Sequence, residues 1–139
     1  GRILPVAGTP MDFTRAKPIG RDIQAEYSQL QMCGGYDHNF ILDKEPGMLA
    51  LAAVARSEKT GITMETYTTQ PGVQLYTSNS LQNDTRPGKA GGAYGRYQGF
   101  CLETQHYPDS VNHPEWPQPF LKPGEKYDTK TVYKFSVDK

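Results

Sequence analysis

The stretch GMLALAAVARSEKTGITMETYTTQPGVQLYTSN, Gly47 to Asn79, decides the fold. It divides into three extended runs, Met48 to Arg56, Ile62 to Thr69 and Val73 to Asn79, separated by the polar turn Ser57 to Gly61 and by the Gln70 to Gly72 turn. The runs are rich in Val, Ile, Thr and Tyr, the residue types that suit a pleated, half-buried surface. Pro71 presets φ near −65° and Gly72 tolerates unusual backbone angles, so the pair suits a tight turn and the three runs read as hairpin-like pieces.

The same pattern recurs outward from this stretch. In TVYKFSV, Thr131 to Val137, the residues Tyr133, Phe135 and Val137 alternate with Val132, Lys134 and Ser136, which predicts a strand with one buried face. In GFCLETQ, Gly99 to Gln105, Phe100 and Leu102 fall on one side and Cys101, Glu103 and Gln105 on the other. Helical periodicity is scarce: RAKPIGRDI, Arg15 to Ile23, allows one helical turn, and Ala25 to Gly35 is ambiguous. Prolines at 108, 114, 117, 119 and 123 bar regular structure between Tyr107 and Gly124. Leu81 to Tyr97 is too rich in glycine to form a single element. The fold class is therefore mainly β.

A chain of 139 residues suffices for one domain. At this size roughly two-thirds of the unfolded surface is buried on folding. With 15 acidic and 15 basic side chains, it has no global field to recruit nucleic acid or an anionic membrane. No apolar run approaches the roughly 20 residues needed to span a bilayer, and the opening GRILPVAGTP lacks the pattern of a secretory leader. The cytoplasm is the expected location, with the periplasm and secretion left open. The chain opens on Gly1 instead of Met, and a processed or cut end is expected there. Cys33 and Cys101 permit one disulfide but do not require it, and both are expected as free thiols in a packed interior.

Most catalytic signatures are missing from the sequence. His38, His106 and His113 match no zinc-ligand spacing, and GKAGGAYG is neither a Walker loop nor a dinucleotide fingerprint. What remains is neutral-to-acidic polar residues mixed with aromatics in GGYDHNF, PGVQLYTSN and GFCLETQHYPD. Asp, Asn, Gln and Glu can exchange paired hydrogen bonds with sugar hydroxyls, while aromatic faces pack on the C–H side of a sugar ring. Tyr36, Tyr76, Tyr107 and Trp116 are candidates for that packing. Each pick has a plainer reading: Glu103 as a solvated strand residue, Asp37 as a turn cap, Gln74 as an ordinary polar strand residue.

The ordered series GTPMDF (8–13), GGYDHNF (34–40), TTQPGVQLYTSN (68–79), GFCLETQHYPDSVNHPEWP (99–117) and LKPGEKYDTKTVYKF (121–135) closely resembles the C-terminal part of the aldose 1-epimerase, or galactose mutarotase, family. The resemblance implies a large twisted antiparallel β-sandwich, of which this chain is roughly the C-terminal half. Residues 1–139 are then either a single domain or the C-terminal part of one larger domain. It implies a free hexose such as galactose or glucose as substrate, interconversion of its α and β anomers, and no cofactor or metal. Matched residue by residue, Glu103 falls on the general base, Asp37 on a sugar-hydroxyl ligand and Gln74 on another pocket contact.

The family's acid histidine, a second active-site histidine and a sugar-binding arginine lie upstream of the matching region. A preceding N-terminal segment is therefore the expected partner, since an isolated half-sandwich leaves edge strands and a core face uncovered. A non-catalytic sugar-binding or regulatory module of the same fold is the alternative.

Overall fold

The computed structural model describes residues 1–81 and 86–137. Among the described residues there are six strands: β1 (Asp37–Ile41), β2 (Ala50–Arg56), β3 (Ile62–Thr68), β4 (Gly72–Tyr76), β5 (Cys101–Gln105) and β6 (Thr131–Val137). They form two three-stranded sheets, ordered β1-β4-β5 and β2-β3-β6. The only α-helix among the described residues is α1 (Ser28–Cys33), inside the ambiguous Ala25 to Gly35 stretch, and a 3-10 turn at Ile19–Arg21 is the helical turn expected there. No helix among the described residues is long and apolar enough to cross a membrane. The mainly β class is thus the observed one.

The Gln70 to Gly72 turn does not close a hairpin. β2 and β3 pair antiparallel, and β6 takes the other edge of β3, so β4 leaves this sheet and enters the other one between β1 and β5. β2 contains a bulge: Leu51 faces Tyr67 and Ala53 faces Thr66, leaving Ala52 unpaired. The extra residue resets the alternation, which brings Leu51 and Val54, three apart, to one face. β4 also ends earlier than Asn79. Ser78 takes φ 56°, and Thr77 and Asn79 turn their side chains to the backbone of Tyr36.

By packing, the chain divides into two compact units, Gly1–His38 with Leu75–Cys101, and Asn39–Gln74 with Leu102–Lys139. The core of the first includes Met11, Leu30, Tyr36 and Leu75, with Tyr36 fully buried. The second contains the β2-β3-β6 sheet. There the expected buried face of β6 is not buried: Tyr133, Phe135 and Val137 are 46%, 66% and 62% exposed. Alternation correctly grouped these side chains on one face, but it could not say whether the same chain supplies their cover. Of the Leu81 to Tyr97 stretch, residues 82–85 lie outside the described residues. Within the remainder an isolated bridge joins Pro87 to Ala93.

Candidate active site

Glu103 and Gln74 belong to the second unit, and Asp37 to the first. On β5 the alternation expected from sequence holds. The Leu102 carbonyl accepts a hydrogen bond from the Tyr133 hydroxyl at 2.7 Å, and the Thr104 hydroxyl meets that of Thr131 at 2.5 Å. The Thr104 side chain therefore looks toward β6, and alternation along the strand leaves Glu103 and Gln105 on the opposite face. Glu103 is exposed there. Gln105 Nε2 donates to Gln74 Oε1 at 2.9 Å, and lies 3.4 Å from Asn39 Oδ1. The sheet thus carries a row of half-buried amides, one from each of its three strands, beside a solvent-accessible carboxylate. Amides offer donors and acceptors together, as hydroxyl-rich ligands require, and the carboxylate offers a proton acceptor.

Asp37 opens β1 in the first unit, and its backbone setting is closely held. The Tyr36 N–H donates to Thr77 Oγ1 at 3.1 Å, and the Tyr36 carbonyl accepts from Asn79 Nδ2 at 2.8 Å and from the Thr77 N–H at 3.1 Å. Thr77 and Asn79 are joined through their own side chains at 2.7 Å, and both are buried. Gly35, at φ 139°, lies so close to Asn79 and Thr77 that a side chain there would collide with them. The Gly34 carbonyl is gripped by Arg96 at 2.6 Å and the Tyr97 hydroxyl at 2.5 Å. Half-buried His38 accepts the Asp37 N–H on Nδ1 at 3.0 Å, with Nε2 3.7 Å from Cys33 Sγ. Burial lowers the His38 pKa, in keeping with the neutral ring that this acceptor role needs.

Several sequence candidates occupy other places. Tyr36 is sealed in the core, edge-on to Phe13 at 5.2 Å with its hydroxyl donating to the Pro10 carbonyl, so it offers no face to a sugar. Its pKa is pushed up to about 12, first by burial. Trp116 stacks on His113 at 3.7 Å and meets Tyr107 edge-on at 5.9 Å, so these rings pack on one another. Neither cysteine is in a disulfide, but Cys101 is exposed and only Cys33 is partly covered, which corrects the expectation that both pack inside. A hollow of about 390 Å³ in the first unit, lined in part by Thr9, Asp12, Arg15, Lys17 and Arg21, holds none of the assigned residues. Among the described residues no three His, Cys, Asp or Glu side chains gather as metal ligands.

Asn39 and the pairing of Gln105 with Gln74 were not picked out from sequence. The alternation that set Gln105 beside Glu103 was the available signal; the contact across strands depends on which strands pair.

Comparison with known proteins converges on one family. The aldose 1-epimerase family model matches residues 1–134. Galactose mutarotase of Rattus norvegicus is 44% identical over 137 residues, and that of Homo sapiens 45% over 139, each alignment covering 99% of this chain. Aldose 1-epimerase of Escherichia coli K12 is 41% identical over 135 residues. This chain spans about 38% of the length of these curated relatives. An aldose epimerase homologue from C. elegans superposes with a TM-score of 0.75 at 28% identity, and galactose 1-epimerase from Lactobacillus acidophilus with 0.64 at 26%; they cover 95% and 96% of this chain and 38% and 37% of their own. With sequence and fold agreeing over nearly every residue present, the chain belongs to the aldose 1-epimerase family.

Proposed function

We propose that this chain is the base-bearing, C-terminal part of an aldose 1-epimerase acting on a free hexose such as galactose or glucose. The observation that carries the reading is Glu103: an accessible carboxylate on β5, on the strand face that also holds Gln105 and reaches Gln74, within a segment matching the family over residues 1–134. In this reading Glu103 takes the proton from the anomeric hydroxyl while an acid protonates the ring oxygen, and the ring opens to the aldehyde. Rotation about C1–C2 presents the other carbonyl face, and reversal of both transfers closes the opposite anomer. Asp37 and Gln74 hold sugar hydroxyls.

The acid comes, in this proposal, from the portion of the protein that precedes this chain in the longer relatives. That portion also covers the exposed face of the second unit, where Ile62 is paired with Val137 and Met64 with Phe135. Two cysteines outside any disulfide suit a reducing compartment, which supports the cytoplasm as its location.

Polarimetry of freshly dissolved α-galactose with the full-length protein tests the role of Glu103. Removing a general base costs about a hundredfold or more, so Glu103→Gln is expected to lose at least that much rate while folding normally. Undiminished turnover in this variant would remove Glu103 from the mechanism and favour the sugar-binding module.

A further inference from the structure

We propose that Gln105 is a positioning residue for Gln74, and that residue 72 is glycine because the amide of Asn39, which steadies this pair, occupies the space a side chain would need. The inference rests on the reading of Gln74 as a sugar contact and adds to it the device that holds that contact in place.

A glutamine side chain has three rotatable bonds, and fixing it costs about 1.5–2 kcal/mol of conformational entropy. A binding residue that is already held avoids paying that cost when ligand arrives. Gln105 supplies the hold: its Nε2 donates to Gln74 Oε1 at 2.9 Å. That bond also decides which way the Gln74 amide is turned, with its oxygen toward Gln105.

Gln105 is steadied in turn by Asn39 Oδ1, 3.4 Å from the same nitrogen. The Asn39 amide lies against the bare backbone of Gly72. A Cβ built there would stand 2.6 Å from Oδ1, 2.9 Å from Nδ2 and 3.1 Å from Cγ of Asn39. Gly72 is not among the glycines at positive φ, so its backbone is one that alanine can adopt. The turn alone therefore does not require glycine at this position; the space held by Asn39 does. The atoms an added methyl would meet are the end of a side chain, which can swing aside with little loss of stability. Moving them disturbs the neighbour of Gln105 while leaving Glu103 where it is.

The test uses the full-length protein and steady-state mutarotation of galactose. Gln105→Glu keeps the shape but replaces the donor to Gln74 with an acceptor, and Gly72→Ala displaces Asn39. Losing one hydrogen bond's worth of preorganisation predicts that each raises KM about fivefold. Because the binding lost is common to ground and transition states, kcat stays within about twofold. In a Gln74→Ala background neither substitution raises KM further.

If Gln74→Ala raises KM but Gln105→Glu and Gly72→Ala do not, the positioning role is overturned and the sugar contact stands. If Gln74→Ala itself leaves KM unchanged, the sugar contact fails and this inference fails with it. Effects that persist at full size in the Gln74→Ala background, alongside a lowered Tm, make Gln105 structural and also overturn the proposal.

Discussion

Tyr36 and Phe135 are both aromatic side chains of strand-forming segments, yet the first is fully buried and the second 66% exposed. Around Tyr36 the first unit supplies everything the residue needs: Phe13 against its ring, the Pro10 carbonyl for its hydroxyl, and Thr77 and Asn79 for its backbone. Phe135 alternates with Lys134 and Ser136 as a core residue would, and Lys134 does reach Glu65 on the outer face at 2.8 Å. Its own face, however, shows Tyr133, Val137 and Ile62 to water. Tyr36 thus finds partners for its ring, hydroxyl and backbone within the first unit, whereas Phe135 belongs to a sheet face of the second unit whose apolar side chains are exposed.

The largest expected effect lies in that second unit and depends on context. In this chain by itself, Phe135→Ala should change stability by less than about 0.5 kcal/mol, as substitutions at exposed positions usually do. In the full-length protein, where the preceding portion is proposed to cover this face, the same change should cost about 3–5 kcal/mol, the range for deleting a buried phenylalanine side chain. Urea unfolding of both forms makes the comparison. Equal and small effects in the two would mean the face stays open to water.

A smaller effect is expected in the first unit, from acid. The Lys17 side chain is only 2% exposed; its Nζ donates to Asp22 Oδ2 at 2.8 Å and to the Pro10 carbonyl at 2.5 Å, and sits 4.3 Å from the centre of the Phe13 ring. Hydrogen bonds from Arg21 and then Lys17 hold the Asp22 carboxyl down from its ordinary 3.8 to about 2. A lowered carboxyl pKa means that the folded state favours the charged form. The stabilisation is therefore complete above pH 3.8 and fades as pH falls from there through 2. Protection of amides in the first unit, taken relative to the intrinsic exchange rate at each pH, should fall across that window, and Asp22→Asn should abolish the extra acid dependence. An Asp22 titrating near 3.8, followed by carbon NMR, would contradict this.

The strands were legible because alternation is local. The runs Ile62 to Thr69 and Thr131 to Val137 were read from strand-favouring residues such as Val, Ile, Thr and Tyr, and the observed strands end within a residue of them. Pairing was not legible, because Gln70 to Gly72 has the composition of a hairpin turn while β4 pairs with β1 and β5 instead. Burial was legible for neither aromatic. Tyr36 looked like a sugar platform until its partners from residues 10, 13, 77 and 79 were in place, and Phe135 looked buried because alternation reports which side a residue faces, not what covers it. In the site, Glu103 and Gln105 could be read as neighbours on one strand. The link to Gln74 and Asn39 crosses strands that lie 31 and 66 residues away in sequence, beyond the reach of any local pattern.

The central claim is that this chain carries the base of a hexose mutarotase whose acid lies in the preceding portion of the protein. The most direct measurement produces the two portions separately and follows the optical rotation of fresh α-galactose with each alone and with both together. Neither portion alone should exceed the solvent rate, and the mixture should accelerate mutarotation. Acceleration by this chain alone, or a stable complex of the two portions that leaves the solvent rate unchanged, would contradict it.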